Sequence, residues 1–368
     1  MEAYKPKAFD FWIFITVLIL LSLGVIMVIS ASAPYANNAF DDTWHIVRSQ
    51  LLYAVIGIAF MLLLINVDYH IFGKFSTIIL AISLIMLVAV LIPGIGRLEN
   101  GARRWIYLGP LHFQPSEVAK ISIIFFLSHK LGNREKPISY FFRDFLPYIL
   151  LTGVIAILLM IEPHLSGTVI TVCIITSILF SAGAKIRHFI IVSIPALAGF
   201  AYFIYTKSDY AMARLRSFLD PWSDMKGDGY QVVQSLYAIG SGGLFGRGLG
   251  RSMQKYLYLP YPHNDFIFSV LSEELGFIGV FAVLVLFTIF IWRGLRVAIY
   301  AKDLQGSLMA VGTTALIAVQ MVLNVAVVSG WMPPTGVSLP LFSYGGTSLM
   351  LFLGAIGVLL NISRQVTK

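Results

Sequence analysis

Long apolar segments recur along the whole chain, and they constrain the fold more than any other feature. About ten stretches are long enough to cross a bilayer, which takes about 20 mostly apolar residues in a helix. They lie near 11–33, 48–66, 74–93, 115–131, 145–162, 165–183, 187–205, 265–292, 306–329 and 343–363. Their apolar residues run continuously and do not alternate with polar ones, which argues against barrel strands. The sequence therefore predicts an all-α polytopic membrane protein with about ten transmembrane helices.

The low charge content agrees with that fold class. Hydrophobic residues make up 58% of the chain and charged residues only 12%, about half the charged fraction of a typical soluble domain. This composition excludes a soluble enzyme, a disordered chain and a collagen. The net charge of +8 is compatible with nucleic-acid binding, but no basic block or array of stacking aromatic residues accompanies it. Loop cations that orient the spans or meet anionic lipid explain the charge better, so the expected partner is membrane lipid and not nucleic acid.

The Lys and Arg residues of the short loops predict the orientation. They concentrate in loops on the side of the N-terminus, such as 130–143 and 293–302, and the positive-inside rule places that side in the cytoplasm. Both termini are then cytoplasmic. The first apolar stretch is too long for the core of a cleaved signal peptide, which has about 7–15 residues, so it is predicted as a retained span. The long connection 206–264, between the seventh and eighth spans, is then extracellular and is expected to pack against the membrane face.

Charged residues inside spans are costly, and they are functional candidates for that reason. Glu117 and Lys120 lie three residues apart, so they share one face of a helix and can pair. Two interpretations stay open at this point. The pair is either a structural ion pair that locks two helices, or Lys120 and its neighbours meet a charged lipid headgroup.

Asp265 begins the eighth span and is the strongest candidate for chemistry. Ser269 and Ser272 follow it at one-turn intervals, Glu273 lies about 12 Å deeper at 1.5 Å per residue, and His263 precedes it in the loop. An Asp at a helix start is commonly an N-cap. The polar neighbours favour a second interpretation, in which the carboxylate acts as a general base.

Cationic side chains at the outer side form the complementary feature. At the headgroup level such residues either hold phosphate or pyrophosphate or simply snorkel to the interface. The set comprises Arg48, Arg103, Arg104, Arg247, Arg251 and Lys255.

The glycine-rich run 240–250 lacks the spacings of a nucleotide-binding loop, so close backbone packing or a loop around a ligand is expected there. Cys173 is the single cysteine, which excludes an intrachain disulfide, and no His or Cys spacing predicts a zinc site.

Several segments together resemble one family, the SEDS proteins (shape, elongation, division and sporulation), which include FtsW, RodA and SpoVE. They occur in the family's order and cover most of the chain. The segments are 100–106 (NGARRWI), 114–120 (QPSEVAK), 229–235 (GYQVVQS), 246–255 (GRGLGRSMQK), 259–268 (LPYPHNDFIF), 273–276 (EELG), 332–340 (MPPTGVSLP) and 343–346 (SYGG). Residues 162–168 (EPHLSGT) and Asn264 favour the FtsW and SpoVE branch over RodA.

The resemblance implies a single transmembrane domain over 1–368 with ten helices and a large loop between the seventh and eighth. It also implies a peptidoglycan glycosyltransferase of the bacterial cytoplasmic membrane that polymerises lipid II into β-1,4 glycan strands for division, shape or sporulation. By this resemblance Asp265 is the general base and undecaprenyl pyrophosphate is the leaving group. The residues expected to bind substrate are Arg48, Arg103, Glu117, Lys120, Gln231, Gln234, Arg247, Lys255, His263, Glu273 and Ser343.

The family further implies a divalent cation, Mg²⁺ or Mn²⁺, although the sequence shows no ligand cage for it. A class B penicillin-binding protein, which is a transpeptidase, is the implied protein partner. Two other functions remain open, a lipid II flippase and a scaffold that only anchors and activates the transpeptidase. A flippase commonly shows internal repeats, and none is evident in this sequence.

Overall fold

The computed structural model describes residues 8–99, 102–108, 111–134, 138–207, 217–227 and 229–366, most of them helical. The helices are α1 (Phe11–Phe40), α2 (His45–Leu64), α3 (Tyr69–Ala89), α4 (Pro115–Gly132), α5 (Leu146–Ile161), α6 (Leu165–Ser181), α7 (Ile186–Lys207), α8 (Tyr230–Gly242), α9 (Ile267–Ile299), α10 (Leu304–Val328) and α11 (Thr347–Ser363). A π-helical turn, Phe141–Phe145, leads into α5.

Each of the ten predicted spans overlaps one of these helices, and α8 is a further helix among the described residues. Within the described ranges, six segments are long and apolar enough to cross a membrane: α1, α2, α3, the stretch Phe141–Ile161, α9 and α10. The apolar helices α6 and α11 and the part Ile186–Gly199 of α7 are shorter. The prediction of an all-α, multi-pass membrane protein is confirmed.

Side chains at the helix starts explain where several helices begin. Asp10 Oδ1 accepts a hydrogen bond from the backbone nitrogen of Ile13 at 3.2 Å and caps α1. Pro115 is the first residue of α4, where its fixed φ suits a helix and its missing N–H is not needed. Glu117 lies in the first turn of α4, where the helix dipole favours a negative charge.

Polar contacts join helix ends at one end of the bundle, which we call the far end. The backbone nitrogen of Asp10 donates to Ser363 Oγ at 2.9 Å, which joins the start of α1 to the end of α11. The Tyr69 hydroxyl donates to Asp303 Oδ2 at 2.6 Å, which joins the start of α3 to the start of α10. The helices therefore run up and down. Residues 1–7 and 367–368 lie outside the described residues, so the cytoplasmic placement of the termini stays a prediction.

A three-stranded antiparallel sheet lies at the opposite end, which we call the sheet end. Its strands are β1 (Gly96–Glu99), β2 (Ala102–Leu108) and β3 (Leu111–Phe113), in the order β1-β2-β3. Ile106 of β2 pairs with Phe113 of β3, and β3 is followed at once by α4. The sequence did not predict this sheet. It fixes the path of the chain from α3 into α4 over the end of the bundle.

The long connection before α9 packs on the bundle where it is described, and residues 208–216 and 228 of it lie outside the described residues. Its extracellular placement against the membrane face stays a prediction. Its helix α8 contacts α9 and α10 through Ser235. The Ser235 hydroxyl oxygen lies 2.7 Å from that of Ser269 and 2.5 Å from the backbone oxygen of Val328. These contacts are buried and fix α8 against both helices.

The glycine-rich run 240–250 fits into a break in α9. Gly276 has a φ of 66°, so the helix is interrupted there. The backbone nitrogen of Phe277 donates to the carbonyl oxygen of Gly243 at 2.9 Å, so the loop satisfies a backbone group that the break leaves free. A Cβ on Gly276 would stand 2.2 Å from the backbone nitrogen of Gly246. The prediction of close backbone packing is therefore confirmed.

Candidate functional site

A cleft of about 520 Å³ opens at the sheet end of the bundle. Its walls come from β2, α4, α6, α10 and the start of α11, together with the segments that precede α4, α9 and α11. The lining residues are Arg104, Trp105, Tyr107, Gln114, Glu117, Lys120, His164, Ser166, Ile170, Tyr261, Asn264, Asp265, Gln320, Gly336, Val337, Ser338, Tyr344, Gly345 and Ser348. Charged, polar and aromatic side chains dominate this lining, which suits a ligand that carries both hydroxyl and anionic groups.

Asp265 lies in the cleft, two residues before α9 begins. The N-cap of α9 is Phe266, and no side-chain hydrogen bond caps the helix at that position. Asp265 is therefore not the N-cap residue of α9. The side chain is half-buried, and the backbone oxygen accepts a hydrogen bond from Asn324 Nδ2 at 2.7 Å. Asp265 is thus held through its backbone while it lines the cleft.

The serines that follow Asp265 along α9 do not extend the cleft. The Ser269 hydroxyl is buried against Ser235, and that of Ser272 donates to a backbone carbonyl one turn earlier. Glu273 is fully buried and accepts a hydrogen bond from the Ser252 hydroxyl at 2.5 Å. This polar stripe therefore packs inside the protein, away from the cleft lining. A role of Glu273 in substrate binding stays a prediction.

Glu117 and Lys120 form the predicted ion pair and line the same cleft as Asp265. Lys120 Nζ lies 2.7 Å from Glu117 Oε1, and the two side chains are 1% and 7% exposed. Lys120 Nζ also lies 3.4 Å from Gln320 Oε1 on α10. The pair therefore joins α4 to α10, which agrees with the structural interpretation. Contact of Lys120 with a charged lipid headgroup stays a prediction.

The structure brings Arg104, and not Arg103, to the cleft lining. Arg104 Nε donates to the backbone oxygen of Glu162 at 3.2 Å, and its Nη2 donates to that of Pro163. Arg103 Nη1 instead donates to the backbone oxygen of Gly96 at 3.4 Å. Neighbouring residues of a strand point to opposite faces. The sequence could not separate the two arginines because β2 was not predicted, and substrate binding by Arg103 stays a prediction.

His263 and Ser343 support the segment that carries Asp265. The His263 ring lies 5.0 Å from that of Tyr35 and 5.9 Å from that of Tyr344, centroid to centroid. Burial of this loop residue lowers the pKa of His263 to about 4, so the imidazole is neutral at physiological pH. The Ser343 hydroxyl donates to the backbone oxygen of Asn264 at 2.8 Å. Both residues act as packing and hydrogen-bonding supports beside the cleft.

Lys255, a predicted binding cation, belongs to a buried network, and the 42% exposed side chain of Arg247 lies at the edge of that network. Lys255 Nζ lies 2.9 Å from Glu274 Oε1 and 2.9 Å from Ser30 Oγ on α1. Arg247 Nη1 lies 3.5 Å from Glu273 Oε1. The network ties the glycine-rich loop to α1 and α9. Contact of Lys255 and Arg247 with substrate stays a prediction.

Three further predicted residues also lie outside the cleft lining. Arg48 has a 70% exposed side chain and pairs with Asp42 at 2.9 Å. Gln231 and Gln234 lie on α8 and are half-buried. Their roles in substrate binding stay predictions.

Sequence reasoning missed several residues that line the cleft. Trp105 and Tyr107 lie on β2, His164 precedes α6, and Gln320 lies in the middle of the ninth predicted span. Gln320 had a usable signal, because a polar amide inside an apolar helix is costly unless it has a partner. Trp105 was part of a recognised segment, but a lone aromatic residue near a membrane surface is commonly an interface anchor.

Oxygen ligands for a metal are few in the described residues. No group of three or more His, Cys, Asp or Glu side chains is placed there to hold a metal ion. The carboxylates of the cleft lining are Asp265 and Glu117. A metal bound in the cleft would need further oxygen ligands from its substrate.

Comparison with known proteins agrees with the fold. The family profile of FtsW, RodA and SpoVE, described as "Cell cycle protein", matches residues 11–368. Stage V sporulation protein E of Bacillus subtilis (strain 168) is 46% identical over 98% of each chain. The probable peptidoglycan glycosyltransferase FtsW of Geobacter sp. (strain M18) is 39% identical, also over 98% of each chain. A solved structure from a peptidoglycan synthase complex that coordinates polymerization and crosslinking has a TM-score of 0.81 and 29% identity, covering 97% of this chain and 98% of that one. The chain therefore belongs to the SEDS family of FtsW, RodA and SpoVE, and its relatives agree with the FtsW and SpoVE branch.

Proposed function

We propose that this membrane enzyme is a peptidoglycan glycosyltransferase that polymerises lipid II into β-1,4 glycan strands at the outer face of the bacterial cytoplasmic membrane. The observation that carries the proposal is that Asp265, the ion pair of Glu117 and Lys120, and Arg104 line one cleft. A displacement at a sugar carbon with a pyrophosphate leaving group needs a base and cations in one site. The FtsW relative bears the name of this activity.

Asp265 is the general base in this mechanism. Its carboxylate takes the proton from the 4-hydroxyl of the acceptor GlcNAc, and the hydroxyl oxygen forms a bond to the anomeric carbon of the donor MurNAc. The bond between that carbon and the phosphate oxygen breaks, and its electron pair leaves with undecaprenyl pyrophosphate. A single displacement converts an α-linked donor into a β-1,4 product. Inverting carbohydrate chemistry uses a carboxylate base on the attacking side, here acting on a sugar hydroxyl instead of water.

Lys120 and Arg104 stabilise the charge that develops on the pyrophosphate. Both hydrogen bonds of Arg104 to the turn before α6 go to neutral carbonyl oxygens, so they do not neutralise its positive charge. The planar guanidinium can bind phosphate oxygens in a bidentate manner. Lys120 already has a carboxylate partner, so it stabilises the leaving group as part of a charged pair.

The proposal includes a divalent cation, Mg²⁺ or Mn²⁺, because the resemblance to the family implies one. Mg²⁺ commonly binds one or two protein carboxylates and completes its shell with substrate phosphates. Asp265 and Glu117 fit this requirement, because they are the carboxylates of one cleft. When bound, Mg²⁺ or Mn²⁺ would supply positive charge to the leaving pyrophosphate.

The orientation and the partner complete the proposal. The sheet end faces outward and both termini are cytoplasmic, which places Arg293, Lys302 and Arg364 of the far end in the cytoplasm, as the positive-inside rule requires.

The partner is a class B penicillin-binding protein that crosslinks the new strands. The similar structure from a peptidoglycan synthase complex supports this assignment, because that complex coordinates polymerization and crosslinking.

The test is polymerisation of lipid II by the purified protein, with its class B penicillin-binding protein and Mg²⁺ or Mn²⁺, and with glycan strands resolved on a gel. Wild type is compared with Asp265→Asn, which keeps the shape of the side chain and removes the base, and with Lys120→Ala. The matched control is Asp41→Asn, at an exposed position where Asn tolerates the left-handed backbone (φ 52°).

We expect wild type and Asp41→Asn to make glycan strands. We expect fewer strands from Lys120→Ala and none from Asp265→Asn. Normal strands from Asp265→Asn would refute the base assignment. No strands from any folded complex would favour lipid II transport or a scaffold role.

A further inference from the structure

We propose that Asn324 of α10 is a positioning residue that fixes the place of Asp265, and that Gln320, one turn earlier, fixes the place of Lys120 in the same way. The inference rests on the proposed function and deepens it. According to it, one face of α10 keeps Asp265, the base, and Lys120, the cation, at a constant separation.

The contacts of Asn324 show how it holds the base. The side chain is completely buried, and its Nδ2 donates to the backbone oxygen of Asp265 at 2.7 Å and to that of Val337 at 2.6 Å. Both partners are carbonyl oxygens, which only accept, so the amide nitrogen must face them. Asn324 therefore ties the segment before α9 and the segment before α11 to one rigid helix.

Gln320 repeats this arrangement about 6 Å along the helix axis, four residues earlier. Its Nε2 donates to the backbone oxygen of Ser338 at 3.2 Å and to the Ser338 hydroxyl at 3.1 Å. Its Oε1 lies 3.4 Å from Lys120 Nζ and accepts from it. The side chain is only 2% exposed. The amide thus connects the charged pair of α4 to the segment that Asn324 also holds.

The two amides share one substrate-facing segment, and this makes them a unit. Val337 bonds to Asn324 and Ser338 bonds to Gln320, and both of these neighbouring residues line the cleft. Residues four apart on a helix lie on the same face, so α10 sets the spacing between the two anchor points. Only a primary amide offers two N–H donors and an acceptor without a charge.

This geometry predicts that Asn324 affects kcat and not KM. Displacement of a reacting group by about 1 Å lowers a rate by about 100-fold. Loss of the Asn324 side chain removes its hydrogen bond to the backbone of Asp265 but leaves the contacts of Lys120 with Glu117 and of Arg104 with the turn before α6 unchanged. The rate of the chemical step then falls, while binding of the lipid pyrophosphate does not change.

The experiment measures kcat and KM for lipid II polymerisation by folded wild type, Asn324→Leu and Asn324→Asp in complex with the transpeptidase. Leu approximates the shape of Asn and donates no hydrogen bond, while a buried neutral Asp donates one. The matched control is Val322→Ala, on the exposed face of the same helix. We expect kcat to fall by about 100-fold for Leu and less for Asp, with KM within about threefold of wild type.

Each other outcome is informative. A kcat equal to that of wild type in either folded variant would overturn the inference. A rise of KM in both variants with no fall of kcat would also overturn it. Failure of both variants to fold would also overturn it, because Asn324 would then be a folding residue. Wild type that makes no strands would refute the proposed function itself, whereas active wild type with active Asn324→Leu would refute only the positioning role.

Discussion

Gly336 lies directly against the side chain of Asp265: a Cβ on Gly336 would stand 3.2 Å from Asp265 Oδ2. That separation is shorter than an ordinary van der Waals contact, so a side chain at 336 would push the carboxylate away. The φ of Gly336 is 68°, which an L-residue adopts only with strain. A glycine at this position therefore leaves the space in which the carboxylate of Asp265 lies.

Replacement of Gly336 by alanine should slow catalysis. The added methyl group displaces Asp265 by a few tenths of an ångström, and left-handed backbone strain adds about 1–2 kcal/mol of destabilisation. We expect at least a tenfold lower rate of lipid II polymerisation per folded protein. Gly345→Ala is the matched control, because the same cleft contains Gly345 and a Cβ there meets Ser348 at an ordinary 3.5 Å. Equal rates for the two variants would contradict this account of Gly336.

Alanine at Gly246 or Gly276 should destabilise the fold at the break in α9. A Cβ on Gly246 would lie 2.2 Å from the backbone oxygen of Glu274, so the loop and the helix could not keep their contact. We expect a lower midpoint of thermal unfolding in detergent for both variants. The control is Gly240→Ala, because a Cβ at that position of α8 meets no neighbouring atom of the described part of the chain within 4 Å. A midpoint for Gly246→Ala equal to that of Gly240→Ala would show that the packing is dispensable.

The spans could be predicted from the sequence because a bilayer imposes long continuous apolar stretches. The sheet could not, because its strands have only four, seven and three residues and β2 has adjacent arginines where alternation would mark a strand. The break of α9 at Gly276 could not be predicted from the sequence either. A glycine inside an apolar span predicts a break only when the loop that fills it is known.

The core of the candidate site was predictable for a physical reason. Asp265, Glu117 and Lys120 are charged residues in or beside apolar helices. Charged side chains at such positions are energetically unfavourable, so they are candidates for a function. The rest of the site depends on tertiary structure. Sequence distance along α9 placed Glu273 deeper than Asp265, but only the folded loop shows that its partners are Ser252 and Arg247.

Removal of Lys255 should destabilise the protein more than it affects substrate binding. Lys255 and Glu274 are 3% and 0% exposed, and a buried carboxylate that loses its partner destabilises a protein by about 3–5 kcal/mol. We expect a clearly lower unfolding midpoint for Lys255→Ala, and recovery in the double variant Lys255→Met with Glu274→Gln. Thermal unfolding and the KM for lipid II would be measured together. A raised KM with an unchanged midpoint would instead support the direct substrate contact that the sequence predicted.

Acid should weaken the fold through His263. Burial holds the pKa of His263 at about 4, against the usual 6.5, so between these values the unfolded chain binds a proton that the folded protein excludes. The free energy of unfolding therefore falls as the pH decreases from 6.5 towards 4, by up to about 1.4 kcal/mol per pH unit from this group, and this effect is absent above 6.5.

The variant His263→Phe tests that dependence, because Phe keeps the ring contacts with Tyr35 and Tyr344 and cannot titrate. Among the described residues His263 Nδ1 has no hydrogen-bond partner, so the ring loses no bond at that atom. Unfolding midpoints between pH 4.5 and 7.5 should decrease less on acidification in His263→Phe than in wild type. The control is His45→Phe, at an exposed histidine, which should follow wild type. Parallel curves for wild type and His263→Phe would mean that other groups cause the acid sensitivity, and that burial of the His263 ring does not exclude its proton.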